Sequence, residues 1–326
     1  MAASSAVAVV VALVAYVTNE SHHPLQWQTP LAASVASLGP TVPPTPTPSP
    51  TPPPPAFVVP AGGVTKPATG ASAFFGWSLL DTKTGKIVGH SANAAHGTNF
   101  TESMIKVWIA ADYLSRLTTV KRKPTTAELT DLKNMIIHSD DVIAQRYYHK
   151  SVGKLAGYNA VIKRLNSVCG LHTTIYKSGW WSYTRMTPDD AARLGYCIAN
   201  GTAAGPYTSN LLGWMRDVTG TVDDQDYPEA YGPKATTGGG RWGIVDGLPD
   251  SLAAQAAMKN GWEPDSGGEW NISCLAIIGD NVLTVMVKYP WKGGAGHTGD
   301  WRYAANLSAG ADACVSVARQ LTQPAS

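Results

Sequence analysis

Proline dominates one stretch of the chain, residues 40–60 (PTVPPTPTPSPTPPPPAFVVP), in which eleven of 21 residues are proline. Proline lacks the amide proton and fixes its own φ angle, so this stretch favours an extended polyproline spacer over a packed element. No Arg or Lys flanks the PxxP turns, which disfavours a ligand for an SH3-type domain. We therefore predict a disordered linker rich in proline and threonine over residues 21–70, and one folded domain over residues 71–326.

The first 20 residues are mostly apolar and carry no charge before Glu20. Their apolar run, from Ala6 to Val17, is shorter than the roughly 17–25 residues of a membrane-spanning helix and has the length of a signal-peptide core. The positive residues that usually precede such a core are missing. We interpret residues 1–20 as an export signal or as an uncleaved anchor that tethers the domain to the membrane. Both interpretations predict an extracytoplasmic domain.

Charge and cysteine content exclude some classes of function. The balance of 25 basic and 23 acidic residues, without a basic stripe, gives no reason to expect nucleic acid as a partner. The four cysteines form no CxxC pair, so a zinc site is not expected. An even number in an exported domain favours two disulfides, for which three pairings are possible. We favour Cys169 with Cys197 and Cys274 with Cys314, since each pair would link neighbouring elements.

The first part of the folded region predicts a β-hairpin and a buried helix. Two apolar runs flank the turn-forming residues from Asp81 to Lys86. This turn contains Lys83-Thr84-Gly85, a triplet that could line a pocket but that fits a solvated turn in this position. Thr101 is predicted to cap a helix that is apolar on nearly every side as far as Leu114, which is typical of a helix inside a domain.

The rest of the chain predicts more helices, then strands, then a last helix. Start signals for helices occur at Thr125 with Glu128, at Ser139-Asp140-Asp141 and at Thr187. The stretches SLAAQAAMKNGW and EWNISCLAIIGDNVLTVMVKY predict adjacent strands, and AANLSAGADACVSVARQL predicts the final helix. The sheet is therefore expected to come from both ends of the domain, with helices packed on it and an α-rich insertion between, an α/β chain of the α+β type.

Ser103 and Lys106 are three residues apart, so both side chains lie on one face of the predicted buried helix. The first turn of a helix, where Ser103 is expected, favours a developing oxyanion through the helix dipole. Burial lowers the pKa of a lysine, which would let Lys106 act as a base on the serine hydroxyl. The same spacing also occurs by chance, with a surface serine and a lysine whose ammonium reaches solvent.

Two later triplets strengthen the functional interpretation of Ser103 and Lys106. Ser139-Asp140-Asp141 lies at a helix junction, where it could be simple helix capping. Lys259-Asn260-Gly261, followed by Trp262, lies at a predicted strand end, where it could be a simple turn. In the order SxxK, SDx and KxG, the three form the motif set of serine β-lactamases and penicillin-binding proteins. From roughly Ala71 to Leu321, the chain therefore resembles the family of class A β-lactamases and penicillin-recognising serine hydrolases.

This resemblance implies a β-lactamase/transpeptidase-like fold: an antiparallel sheet flanked by helices, beside an all-helical half, with the active site at their junction. It implies Ser103 as the acylated nucleophile, Lys106 as the general base, and Ser139 as the proton relay to the leaving nitrogen. Lys259 would pair with a substrate carboxylate and tune Ser139. The backbone N–H groups of Ser103 and Trp262 would form the oxyanion hole. No cofactor is implied, and the implied substrate-binding residues are Asp141, Asn260, Gly261 and Trp262.

Three features depart from the family pattern. Asp141 replaces an Asn, and an ionised carboxylate accepts hydrogen bonds but cannot donate one to a substrate carbonyl. It could instead accept from an N–H or a cationic group. Asn260 replaces a Thr, a milder change because its amide still donates. The glutamate that activates the deacylating water in class A enzymes has no counterpart, because residues 170–188 (GLHTTIYKSGWWSYTRMTP) contain no Asp or Glu. Trp180, Trp181 and Tyr183 occupy this region instead.

We predict from these features an exported, monomeric serine acyl-hydrolase that acts on a small amide or ester, such as a β-lactam or a D-alanyl peptide of the cell wall. Slow deacylation is expected without the glutamate. The alternative is a non-catalytic module that binds β-lactams or cell-wall peptides in the same pocket. A metal site at His138, Asp140 and Asp141 is disfavoured, because residues so close in sequence need a distant partner to hold one ion.

Overall fold

The computed structural model describes residues 57–67, 73–150, 158–175, 180–225, 238–265, 267–290 and 304–322. The predicted N-terminal segment, residues 1–20, and most of the predicted linker lie outside these residues. In the described part of the chain, no helix is both long enough and apolar enough to cross a bilayer. The predicted boundaries at residues 20 and 70 therefore stay predictions.

Five antiparallel strands form the main sheet, in the order β2-β1-β8-β7-β6. Two of the strands come from the start of the domain and three from its end, as the sequence predicts. Their bounds are β1 Phe74–Asp81, β2 Lys86–His90, β6 Ala257–Pro264, β7 Glu269–Ile278 and β8 Asn281–Pro290. A second, small sheet has the order β3-β5-β4, with β3 Asn99–Phe100, β4 Thr174–Ile175 and β5 Thr184–Met186.

Helices cover both faces of the main sheet and also form a helical half beside it. The helices in the described residues are α1 Lys106–Thr119, α2 Thr126–Ile137, α3 Asp141–His149, α4 Tyr158–Cys169, α5 Pro188–Ala199, α6 Thr208–Arg216, α7 Asp250–Ala253 and α8 Ala304–Thr322. Gly195 of α5 lies against Leu275, whereas Gly310 of α8 lies against Ile272. Since side chains alternate along a strand, these two residues of β7 point to opposite faces. The predicted mixed architecture is confirmed.

The turn between β1 and β2 contains Lys83-Thr84-Gly85. The Asp81 carboxylate accepts from the Lys83 N–H at 2.8 Å and from the Thr84 hydroxyl at 3.0 Å. Gly85 has a φ of +68°, which favours glycine. Lys83, with 71% of its side chain exposed, pairs with Asp280 in the turn between β7 and β8. The interpretation of this triplet as a solvated turn is confirmed.

Helix starts follow the predicted signals with one exception. Thr125 and Glu128 form a reciprocal capping box at α2, and the Thr187 side chain accepts from the Asp190 N–H at α5. Thr101, by contrast, makes no side-chain capping bond: its hydroxyl is buried without a partner among the described residues, and a 3-10 turn, Glu102–Ile105, precedes α1. The α1 helix therefore begins at the catalytic candidate Lys106, and not at Thr101.

The predicted strand at SLAAQAAMKNGW is wrong in its first half. Asp250–Ala253 forms one helical turn, α7, and β6 begins only at Ala257. Ala, Leu and Gln favour helix, so local propensity prevails before the chain reaches the sheet.

Two disulfides join the elements that the favoured pairing connects. Cys169 at the end of α4 bonds to Cys197 of α5, and Cys274 of β7 bonds to Cys314 of α8. Both predicted pairs are confirmed. The described residues before β1 also lie on the domain, because the Val58 N–H donates to the Leu321 carbonyl of α8 at 2.8 Å.

Glu102 is a buried acid at the start of the 3-10 turn, with 1% of its surface exposed and a φ of +46°. The carboxyl group lies close enough to that of Glu263 for the two to share a proton in a hydrogen bond. Burial raises the pKa of Glu102 well above its ordinary value, and the negative charges of Glu263 and Asp265 raise it further, whereas Lys106 lowers it. The folded protein therefore holds a proton on Glu102 at pH values where the unfolded chain has lost it.

We expect Glu102→Gln to stabilise the fold at neutral pH and to leave it nearly unchanged near pH 4. A raised folded pKa means that stability is lost as pH rises above the unfolded value of about 4.3, by up to about 1.4 kcal/mol per pH unit. Glutamine is neutral and of the same size, so it removes this loss. Thermal unfolding of both proteins between pH 4 and pH 8 measures the difference. The exposed Asp223→Asn is the control, and an equal gain at both ends of the range would contradict the interpretation.

Candidate active site

Ser103 lies in the 3-10 turn that leads into α1, and this turn packs directly under strand β6. The contact requires glycine at position 261, because a Cβ there would lie 2.3 Å from the Thr101 carbonyl oxygen and 2.7 Å from the Ser103 nitrogen. Gly261, predicted as a substrate-binding residue, thus also allows β6 to pack against the turn that carries Ser103. Its close approach brings the backbone next to Trp262 beside the serine, where the predicted oxyanion hole would lie.

Lys106 is the centre of the polar contacts in the site. Its side chain has no exposed surface, and Nζ donates to Ser103 Oγ at 2.9 Å and to Ser139 Oγ at 2.9 Å. It also contacts the Ser139 carbonyl oxygen and Asp141 Oδ1, both at 2.5 Å. Trp181 lies against the ammonium, with the ring centroid 4.8 Å from Nζ. The structure therefore brings the predicted Ser103, Lys106 and Ser139 together.

Two opposing effects act on the protonation of Lys106. Burial lowers the pKa of Lys106 well below that of a lysine in water. The carboxylates of Asp140, Glu263 and Glu102 act in the opposite direction. The ion pair with Asp141 also favours the charged amine. The amine can thus hold or release a proton, as a general base must.

Ser139 connects the two lysines of the site. It lies at the junction of α2 and α3 with a φ of +56°, an uncommon value for a residue other than glycine. Its hydroxyl accepts from Lys259 Nζ at 3.0 Å as well as from Lys106. The next residue, Asp140, caps α3 through its carboxylate, which accepts from the Ile143 N–H. Capping and the site thus use different residues of the same triplet.

Lys259 is buried on β6, and its ammonium donors all have acceptors within the protein. Besides Ser139 Oγ, Nζ donates to the Asn260 carbonyl at 3.0 Å and to the Gly239 carbonyl at 3.2 Å. A lysine has three donors. These three protein acceptors occupy the donors of Lys259 in this structure, and its predicted pairing with a substrate carboxylate stays a prediction.

Asn260 differs from its predicted role. Its side chain has no exposed surface, and its amide donates to the Gly240 carbonyl at 2.9 Å and to the Trp242 carbonyl at 2.8 Å. An amide has two N–H donors, so none is left for a substrate. Alternation along β6 places residue 260 on the face opposite the pocket side of Gly261, which explains why the side chain holds the loop at residues 240–242.

Asp141 lies at the predicted helix start, but its contact with Lys106 was not predicted. It is the first residue of α3, with 43% of its side chain exposed, and it pairs with the fully buried Lys106. The predicted contact was with a substrate N–H or cation. One carboxylate oxygen of Asp141 contacts the amine of Lys106, while part of the same side chain faces solvent.

Aromatic residues form the other side of the site. Trp181 is nearly buried, whereas 53% of Trp180 is exposed. The ring of Trp262 lies 5.2 Å from that of Trp242 and 5.8 Å from Lys259 Nζ. The position of Trp242 and the contact of Trp181 with the lysine were not predicted from the sequence. The run of aromatics at 180–183 was a signal for the second of these only.

The first two acids after the segment 170–188, which lacks the family's glutamate, have partners within the protein. Asp189 pairs with His90, and Asp190 pairs with Arg193 and accepts from the His172 N–H. Both carboxylates are almost fully buried at the start of α5. The interpretation of these two acids as charges at a helix N-terminus is compatible with these contacts, and neither contacts Lys106.

No protein-family model and no curated protein sequence matches the chain. Solved structures of similar fold include several β-lactamases, some of them of class A. An ancestral class A β-lactamase is 18% identical, with a TM-score of 0.52 over 77% of this chain and 94% of that chain. The TLA-3 extended-spectrum β-lactamase is 14% identical, with a TM-score of 0.53 over 76% and 93%. A β-lactamase from Xanthomonas campestris pv. campestris is 16% identical, with a TM-score of 0.51 over 77% and 92%. The chain therefore has a β-lactamase-related fold.

Proposed function

We propose that the protein is a serine acyl-hydrolase in which Ser103 attacks the carbonyl carbon of a small amide or ester. The observation that carries the proposal is the 2.9 Å contact between Lys106 Nζ and Ser103 Oγ, made by a lysine with no exposed surface. A neutral amine there accepts the serine proton while the bond from Oγ to carbon forms. Burial favours the neutral amine.

The second step, loss of the leaving group, is assigned to Ser139. Its hydroxyl lies between two ammonium groups, so it can give its proton to the leaving nitrogen and regain one from Lys106. The positive charge of Lys259 stabilises the transient alkoxide. The N–H groups of Ser103 and Trp262 would bind the oxyanion, and two such donors contribute several kcal/mol to a transition state.

The substrate class follows from the neighbours and from the disulfides. The structures of similar fold are β-lactamases, which supports a β-lactam or the D-alanyl peptide that a β-lactam resembles. Disulfides form in oxidising compartments, so the two bonds support an extracytoplasmic protein, where cell-wall peptides occur. Export or tethering through residues 1–20 is part of the same proposal.

Ser103→Ala should abolish covalent labelling by a fluorescent penicillin or by an activated ester, because the attacking oxygen is removed. Intact-mass measurement after incubation should find one acyl adduct in the wild-type protein and none in the variant. Peptide mapping should locate the adduct at Ser103. Reversible penicillin binding to both proteins, without an adduct in either, would support the non-catalytic binding module instead.

Lys106→Ala should lower the rate of Ser103 acylation by about 10²–10⁴-fold, the usual contribution of a general base. The fold should persist, which circular dichroism and thermal unfolding would verify. Lys163→Ala, which removes an exposed lysine of α4, is the matched control and should acylate at the wild-type rate. Acylation of Lys106→Ala at the wild-type rate would refute Lys106 as the base.

A further inference from the structure

Hydrolysis of an acyl-enzyme needs a carboxylate or another base beside the acylated serine, and residues 170–188 offer no acid. The acids near Lys106 in the described residues are Glu102, Asp140, Asp141 and Glu263. Glu102 has only 1% of its surface exposed, so a water molecule from solvent does not reach its carboxyl group. Asp140 is used by the N-terminus of α3. These two acids are therefore poor bases for a water molecule.

Asp141 combines the two properties that such a base requires. Its carboxylate contacts the candidate base, with Oδ1 at 2.5 Å from Lys106 Nζ, and 43% of its side chain is exposed. Glu263 is also exposed, but it lies on β6 and makes no hydrogen bond to Lys106. Asp141 is thus connected to the buried amine and can still meet a water molecule from solvent.

The distance from Asp141 to Ser103 is short enough for one water molecule to link them. One ammonium group contacts both Asp141 Oδ1, at 2.5 Å, and Ser103 Oγ, at 2.9 Å. The two oxygens therefore cannot be farther apart than these two contacts together allow. A water molecule that donates to the carboxylate would lie within reach of a carbonyl carbon attached to Oγ, and a general base can act across such a distance.

We propose that Asp141 is the general base of deacylation, a role that rests on the proposed acylation of Ser103. The carboxylate takes a proton from water while the water oxygen bonds to the acyl carbon. The bond from that carbon to Ser103 Oγ then breaks, and the Lys106 ammonium gives its proton to Oγ. Asp141 next returns its proton to Lys106, which restores the ion pair and releases a carboxylic acid.

This role explains why the departure from the family pattern at position 141 need not impair the enzyme. An amide cannot take a proton from water at neutral pH, whereas a carboxylate can. The acid therefore stands at a position where it can replace the glutamate that residues 170–188 lack. The expected slow deacylation then applies to a variant without this carboxylate and not to the native chain.

Asp141→Asn provides the decisive test, because it keeps the size of the side chain and removes its basicity. The full-length protein is acylated with a 4-nitrophenyl ester, freed of excess reagent by rapid gel filtration, and followed by intact mass as the adduct decays. We expect Asp141→Asn to form the adduct and to lose it at least about 100-fold more slowly than wild type, as for loss of a general base. Asp141→Glu should restore part of the rate. Glu263→Gln, which removes one nearby negative charge, should decay within about threefold of wild type.

The outcomes separate the two proposals. Decay of the Asp141→Asn adduct at the wild-type rate, or equal slowing in Glu263→Gln, would overturn the role of Asp141 and leave acylation of Ser103 standing. Absence of any adduct on Ser103 in both the wild-type protein and Asp141→Asn would overturn both. Slowing of adduct formation and decay in equal proportion would mean a distorted site, and would also overturn the proposal. Asp141→Ala replaces Asp141→Asn if the latter does not fold.

Discussion

The buried amine of Lys106 is the interaction on which the site depends. An unpaired charge inside a protein is costly, so a buried lysine needs acceptors around it. Ser103 supplies one from the turn before α1, while Ser139 and Asp141 supply the others from the junction of α2 and α3. The same contacts that make the burial possible therefore bring the nucleophile, the relay and a carboxylate to one point.

The second buried lysine, Lys259, joins the helical half to the sheet. It extends from β6 to Ser139 Oγ and to the Gly239 carbonyl. The loop that contains Gly239 lies close to the end of α2, because a Cβ at position 239 would lie 2.3 Å from the Ile137 carbonyl oxygen. Asn260 then fixes the following residues of this loop through its amide. The ammonium of Lys259, between the sheet and the helical half, is thus compensated by hydroxyl and carbonyl oxygens. The hydroxyl of Ser139 is polarised by Lys259 on one side and by Lys106 on the other.

Several parts of this arrangement could be predicted from the sequence, because they depend on short-range patterns. The spacing of Ser103 and Lys106 puts both on one helical face. The two disulfides span 28 and 40 residues and follow no short-range pattern, although each joins a cysteine to the next one in the chain, which is the pairing that the sequence favours. The hairpin turn at Lys83-Thr84-Gly85 follows from Asp and Gly at fixed offsets. The direction of the Asn260 side chain was not predictable in this way, because it depends on the register of β6 against the loop at 240–242.

The sequence by itself determined that a serine and a lysine stand three residues apart in an apolar segment. It also determined that a proline-rich stretch disfavours a packed core and that residues 170–188 contain no acid. Only the tertiary structure decided which groups surround the lysine. Apart from Ser103, the hydrogen-bond partners Ser139 and Asp141 lie 33 and 35 residues from Lys106 along the chain. Their approach depends on how α1, α2 and α3 pack, and no local pattern encodes it. The pairing of Asp141 with Lys106, on which the proposed deacylation depends, is therefore a property of the fold.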